Sequence, residues 1–207
     1  PGIKTGPLSM PIQTMHDITA AILAGGQSSR MGFNKAFIEI EKDTIIERSV
    51  KLLKGLFRDV IVIANEVPVY ERLDVRVASD LIKGAGSLGG IYTAIFHSSS
   101  EHTFVTACDM PYLNADVIGR IVSSANAFDA VVPFIGSELH PMHAVYSKKC
   151  LKPIKSMMDE GNFRIKDLFG RIAARRLVEK DFKGLDAALS VTNVNTREDL
   201  SRIIKDR

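Results

Sequence analysis

The chain is 207 residues long, 45% hydrophobic and 25% charged, with a formal net charge of +3. Such a composition belongs to a globular protein long enough to bury a sizeable core, and a small cationic excess over many balancing carboxylates argues against a broad nucleic-acid surface. No apolar run reaches the roughly 18 residues that span a bilayer, and no basic stretch leads into an apolar one as in a secretory leader, so a soluble, cytoplasmic protein without membrane or nucleic-acid partners is expected.

Residues 1–17 hold Gly2, Gly6, Pro7 and Pro11 without apolar periodicity, which reads as a loose arm or an appended remnant outside the fold. From residue 18 onward, short apolar runs alternate with helix-like segments. That pattern predicts one α/β domain over 18–207, a Rossmann-like three-layer sandwich with a mainly parallel sheet and helices on both faces. Strands are predicted at 18–23, 60–64, 75–78, 103–107 and 130–134, the first, second and fourth being apolar enough for central positions. A helix should begin near Thr44, where Glu47 has capping-box spacing and Ile46, Val50, Leu53 and Phe57 recur on one face. A second should start near Ser87 or Leu88 with Ile91, Ala94 and Ile95 inward, and a third at Asn114, a good N-cap after Pro111. Beyond 134 the pattern is less regular: a strand at 139–146, helices at 148–159 and 164–169, a strand at 190–194 and a closing helix at 196–204. Cys108 and Cys150 lie far apart and outside any CxxC spacing, so neither a disulfide framework nor a zinc site is expected.

In open α/β sheets ligands bind beyond the carboxyl ends of strands. The first strand ends in Leu23-Ala24-Gly25-Gly26-Gln27-Ser28-Ser29-Arg30-Met31-Gly32-Phe33-Asn34-Lys35. Glycines there let the backbone turn and approach a ligand, so that successive N–H groups can converge on phosphate oxygens. Lys35 would act as a point charge, while Arg30 could grip oxygens through its planar fork or brace the loop. The spacing fits neither GxGxxG nor a Walker A loop, and on the glycines alone an ordinary strand-to-helix turn with two incidental cations is the simpler account. The strand at 103–107 likewise runs into Cys108-Asp109-Met110-Pro111-Tyr112-Leu113. Asp109 could serve magnesium, a hard cation that takes one or two carboxylates and completes its shell with phosphates and water, or it could merely cap the turn. Asp80 precedes a second glycine-rich turn over 84–90 that leads into a helix, an arrangement suited to nucleotide contact. By themselves, Asn65 reads as a strand-end turn residue and Asp80 as a helix cap or solvated charge.

The full spacing of the first loop resembles the LAGGxSxRMGxxK signature of nucleotidyltransferases, and residues 18–204 are similar to the molybdenum cofactor guanylyltransferase family. The resemblance implies an enzyme that transfers GMP from GTP to the terminal phosphate of molybdopterin, releases pyrophosphate and forms the guanine dinucleotide cofactor. It places Leu23, Ala24, Gly25, Gly26, Lys35, Asn65, Asp80 and Asp109 at nucleotide-binding positions. It also makes Asp109 the magnesium ligand, because Cys108-Asp109-Met110-Pro111-Tyr112 is similar to the family's C-D-x-P-Y/F motif. Lys35, Asp109 and Arg30 then form the catalytic group. Gly86-Ser87-Leu88-Gly89-Gly90-Ile91 resembles the family's GPLAGI, with Ser87 in place of proline and Gly89 in place of alanine. Leu139-His140-Pro141-Met142-His143-Ala144-Val145 resembles the HP-x-x-A-L/V stretch near the second substrate. Nothing local pairs either histidine with a carboxylate, so binding or positioning suits His140 better than catalysis. Gly161-Asn162-Phe163-Arg164 and Asn193-Val194-Asn195-Thr196 are similar to pterin-side segments, which completes the expected second-substrate set as His140, Arg164, Asn193 and Asn195. Thr196 could equally cap the closing helix with Asp199 reaching back.

The implied partners are GTP and molybdopterin, with a cofactor-delivering protein and recipient molybdoenzymes or their chaperones. Because the attacking phosphate is already an anion, neither a general base nor a covalent intermediate is expected, and alignment and charge neutralisation are the main tasks. The competing readings are a cytidylyltransferase acting on the same pterin, a sugar-phosphate nucleotidyltransferase sharing the first loop, and a non-catalytic nucleotide sensor. Leu23-Ala24-Gly25-Gly26 resembles the guanylyl branch, whereas the cytidylyl branch commonly has Ala before the last Gly. The presence of both Lys35 and Asp109 argues against the sensor.

Overall fold

The computed structural model describes Met15, residues 17–25, residues 35–194 and Asp199. In chain order the elements are β1 (Thr19–Leu23), a small hairpin of β2 (Glu39–Ile40) and β3 (Asp43–Thr44), α1 (Ile45–Leu56), β4 (Asp59–Ile63), α2 (Val67–Tyr70), β5 (Arg76–Ala78) and α3 (Gly86–His97). They continue with β6 (His102–Ala107), α4 (Ala115–Val122), β7 (Ala130–Ile135), β8 (Glu138–Leu139), β9 (His143–Ser147), α5 (Leu151–Asp159), α6 (Ile165–Leu168), β10 (Ala174–Val178) and α7 (Ala187–Ser190). The large sheet runs β10-β7-β9-β6-β1-β4-β5, with β8 paired to β7. β8 and β9 are antiparallel to their neighbours and the other strands are parallel. From β1 the chain builds outward through β4 to β5, then returns to place β6 on the other side of β1. That reversal makes the carboxyl end of β1 the switch point where such sheets open a ligand crevice.

Both faces of the sheet are covered, which is why the central strands are continuously apolar. All five residues of β1 are buried. Their side chains alternate: Ala20 and Ile22 join Val50 and Leu53 of α1 and Val117 and Ile121 of α4 on one face. Ala21 and Leu23 join Leu88 and Ile91 of α3, Ile154 of α5 and Leu168 of α6 on the other. The result is the expected three-layer α/β sandwich.

Helix starts follow their signals. Thr44 Oγ1 accepts from the Glu47 N–H while the Glu47 carboxylate accepts from the Thr44 N–H at 2.8 Å, closing the predicted capping box on α1. Asn114 Oδ1 accepts from Asp116 and Val117 to open α4. The helix expected at 148–159 is a 3-10 turn (Lys148–Cys150) leading into α5. No described helix is long and apolar enough to cross a membrane.

Two expected strands are corrected. The segment at 139–146 is broken, because Gly136 and Ser137 take positive φ (60° and 64°) to reverse the chain into β8. A turn through Pro141, closed by the His143 N–H on the His140 carbonyl, then separates β8 from β9. At 190–194 there is no strand. Asp186 caps α7 by accepting from the Leu189 N–H, and Val194 donates to the Asp109 carbonyl at 2.8 Å while burying itself with Ile38, Ile40 and Ile45. The sheet edge beside β7 is taken instead by β10. Of the predicted closing helix at 196–204, Asp199 alone is described, and of the arm at 1–17, Met15 and Asp17. Met15 packs on the α4 face, where a Cβ at Gly119 would come within 2.8 Å of its methyl group.

Candidate active site

Leu23 is in register with both Ile63 and Ala107, so β1, β4 and β6 end level and the residues after each converge on one crevice. Backbone bonds continue past the strand ends. The Ala24 N–H donates to the Ile63 carbonyl at 2.8 Å, the Cys108 N–H to the Leu23 carbonyl at 3.1 Å and the Ala64 N–H to the Ala78 carbonyl at 2.9 Å. Ala24 and Gly25 thus follow β1, Asn65 follows β4, Asp80 follows β5 and Asp109 follows β6. Asn65 Nδ2 donates to Asp80 Oδ2 at 3.1 Å. A Cβ at Gly25 would lie 3.3 Å from that same oxygen, so glycine lets the chain pass tightly against the pair. Leu23 is held from below by α3, where a Cβ at Gly90 would come within 3.0 Å of Leu23 Cδ1.

The electrostatics of the crevice are unusual. Burial pushes the Asp109 carboxyl above its ordinary value, against the opposing charge of Lys35, which stands in a 3-10 turn (Lys35–Phe37). Burial also pushes Asp80 up, against the bond from Asn65. Oδ1 of Asp80 and Oδ1 of Asp109 are both buried without a hydrogen-bond partner among the described residues. A buried carboxylate oxygen lacking donors is costly, so these two positions are open to a cation or donor supplied from outside. No three His, Cys, Asp or Glu side chains gather into a metal centre among the described residues. Any hard cation here would be held by one carboxylate and complete its shell with ligand oxygens and water. The adjacent Cys108 thiol is pushed up to about 12 by burial and by the charge of Asp109, and Cys150 reaches about 12 through burial and Asp129. Both cysteines are free, and neither is a nucleophile near neutral pH.

A cavity of about 440 Å³ begins at Met110, the residue after Asp109, and is lined further by Ile135, His140, Met142, Val191 and Asn193. Its β7–β8 wall is braced by Glu179, whose carboxylate accepts from the Gly136 N–H at 2.9 Å and is held below its ordinary value by backbone N–H groups. His140 Nε2 lies 3.2 Å from the Ile135 carbonyl, and the His140 N–H donates to the Pro133 carbonyl, so the ring is fixed by backbone and has no carboxylate partner among the described residues. His143 is a core residue: fully buried, edge-on to Phe104, with Nε2 3.3 Å from Ser190 Oγ and its pKa pushed down to about 3 by burial and then by His140.

The structure therefore brings Leu23, Ala24, Gly25, Lys35, Asn65, Asp80 and Asp109 to one crevice and His140 and Asn193 to the cavity beside it. Arg164 stands elsewhere. It precedes α6, with its guanidinium Nε 4.0 Å from Asp167, and does not line the cavity. Gly26, Arg30 and Asn195 lie outside the described residues. A larger groove of about 560 Å³ between α3 and α5 contains none of the predicted site residues, and its Lys155 is paired with Asp159. Two contributors carried no sequence signal: Glu179, and Tyr70, whose hydroxyl donates to the Ala24 carbonyl at 3.2 Å. Each acts on backbone far away in sequence.

The profile of the MobA-like NTP transferase domain matches residues 20–177. The chain is 35% identical over 191 residues to the molybdenum cofactor guanylyltransferase of Desulfosudis oleivorans, covering 91% of this chain and 95% of that protein. Its fold resembles the crystal structure of molybdopterin-guanine dinucleotide biosynthesis protein A from Archaeoglobus fulgidus, with a TM-score of 0.77 at 23% identity over 92% of this chain and 100% of the other. A likeness at 12% identity, with a TM-score of 0.67 over 92% and 98% of the two chains, links it to 4-diphosphocytidyl-2C-methyl-D-erythritol synthase from Anaerococcus prevotii. These two structural likenesses speak to the fold alone.

Proposed function

We propose that this chain, which belongs to the MobA-like NTP transferase family and is a nucleotidyltransferase, transfers GMP from GTP to the terminal phosphate of molybdopterin. The observation that carries the reading is the Lys35 charge set against Asp109, whose Oδ1 is buried without a donor among the described residues, beside the turn that leaves β1. In the reaction a terminal phosphate oxygen of the pterin bonds to the α-phosphorus of GTP. The bond from that phosphorus to the bridging oxygen breaks, and the electron pair leaves with pyrophosphate.

Lys35 draws the triphosphate oxygens, with Arg30 assisting, while the backbone at Ala24, Gly25 and Gly26 approaches them closely. Asn65 and Asp80 bind the nucleotide on the β4–β5 side. Asp109 Oδ1 is the protein ligand for magnesium, a fit supported by its lack of any competing donor among the described residues. When bound, magnesium neutralises phosphate charge and stabilises the departing pyrophosphate. The pterin occupies the cavity next to Met110, with His140 and Asn193 on its walls and Asn195 joining them, while Arg164, which stands apart from this cavity, takes no part in holding it. The nucleophile arrives as an anion, so His140 positions and does not abstract a proton. The enzyme works in the cytoplasm, receiving its substrate from a delivery protein and passing the product to molybdoenzymes or their chaperones.

Calorimetry with GTP, CTP and ATP in magnesium, followed by a pyrophosphate-release assay with molybdopterin, tests the proposal. The expected result is GTP binding and molybdopterin-dependent release. Preference for CTP would make the protein a cytidylyltransferase, and binding without release would make it a sensor.

A further inference from the structure

Tyr70 lies at the end of α2, 1% exposed, and touches both flanks of the glycine-rich segment. Its hydroxyl donates to the carbonyl of Ala24, where β1 gives way to that segment. Its ring packs on Phe37 with centroids 5.4 Å apart, and Phe37 belongs to the turn that begins at Lys35. Arg72 stands over the Phe37 ring, its guanidinium carbon 5.2 Å from the ring centre. Arg72 also reaches Glu47 of the α1 capping box at 3.6 Å, which anchors the stack to the rigid body of the fold.

From this geometry we infer that Tyr70 is a positioning residue: it clamps the Ala24–Gly25 turn and the Lys35 turn to one another, and so sets where the Lys35 charge stands relative to Asp109. The inference rests on the reading of this crevice as the triphosphate site. Residues 26–34 separate the two flanks along the chain, so a side chain that contacts both flanks ties them together directly across that separation. A buried aromatic ring has few torsions to lose, and bonded at one end and packed at the other it makes a stiff spacer. Catalysis by alignment is sensitive to displacements of about 1 Å, so a residue that never touches the nucleotide can still govern how well it is held.

Tyr70→Phe removes the hydroxyl and leaves the ring, whereas Phe37→Leu removes the ring contact and leaves the hydroxyl. Each should raise the nucleotide KM and the magnesium–GTP dissociation constant about three- to tenfold, the scale of one neutral hydrogen bond. In the double variant the rise should be smaller than the product, because both changes break the same clamp. Hydrogen exchange at the Ala24 and Gly25 amides, followed without nucleotide, should quicken by a similar factor in Tyr70→Phe. Wild-type affinity and exchange in Tyr70→Phe would overturn the inference, and so would a lower melting temperature with both unchanged, since the tyrosine would then serve packing alone. Multiplicative effects of the two substitutions would also overturn it. If the wild-type protein binds nucleotide but releases no pyrophosphate with molybdopterin, the transferase reading fails while affinity and exchange still judge the clamp.

Discussion

At the amino end of the central sheet Asp59 opens β4 and accepts from Arg76 at 2.7 Å, Ser99 at 2.8 Å and Thr19 at 3.1 Å, whereas at the carboxyl end Asp80 and Asp109 each bury an oxygen with no protein donor among the described residues. Burial pushes all three carboxyls up. At Asp59 the bonds from Ser99, Arg76 and Thr19 prevail and the net shift is downward. At Asp80 and Asp109 burial prevails and the net shift is upward. One residue type in one sheet thus has two fates, decided by whether the protein supplies donors. The closed end holds the fold together, and the end with unmet oxygens is where a ligand belongs.

The contrast has a pH signature of opposite sign. A carboxyl lowered by folding gives stability that is present above its ordinary value of 3.8 and lost as pH falls through the folded value, which is the case of Asp59. For Asp80 and Asp109 the native state keeps its proton longer than the unfolded chain does, so stability declines as pH rises from 3.8 through the raised folded values.

The largest expected effect is at Asp109. Asp109→Asn should reduce transfer by about 10²- to 10³-fold, the scale of removing one preorganised electrostatic group. It should also stabilise the free protein by on the order of 1 kcal/mol, because the buried charge is gone. A pyrophosphate assay and a thermal melt on the same sample check both, and a variant that melts lower would move Asp109 to the structural side of the contrast. Lys35→Ala should cost about 10²-fold in turnover at subsaturating GTP with an unchanged circular dichroism spectrum. Wild-type turnover in that folded variant would remove Lys35 from the triphosphate site. Asp59→Asn should do the reverse, lowering stability near neutral pH by about 1–2 kcal/mol in urea titrations while leaving turnover alone. The smallest effect at neutral pH is expected from His143→Leu. The native pKa of about 3 lies below the ordinary 6.5, so the unfolded state takes up the proton first. Wild type should therefore lose stability relative to the variant as pH falls from 6.5 towards 3, and parallel denaturation curves across that window would refute the assignment of His143 as a neutral core residue.

What could be read beforehand depended on where each signal resides. β1, β4 and β6 were legible as apolar runs because helices cover both their faces, and α1 and α4 because Thr44, Glu47 and Asn114 announce their starts. β10 was hidden by the exposed Arg175 and Arg176 of an edge strand. The apolar residues near 190–194 mislead for a different reason: Val191 and Val194 are indeed buried, but side-chain packing uses them and sheet pairing does not. At the site, the contiguous motifs carry Leu23, Ala24, Gly25 and Asp109 to neighbouring strand ends and His140 to the cavity beside them, whereas motif residue Arg164 stands apart and Tyr70 and Glu179 belong to no motif. Tyr70 acts on a backbone carbonyl 46 positions away and Glu179 on an amide 43 positions away, and no local spacing encodes such contacts.

Both native thiols are held protonated at working pH, with pKa values of about 12. They should therefore react sluggishly with maleimides and iodoacetamides. For spectroscopy the wild-type chain is already a quiet background: one cysteine introduced at the exposed Phe163 position would accept a fluorophore or spin label without first removing Cys108 from beside the site.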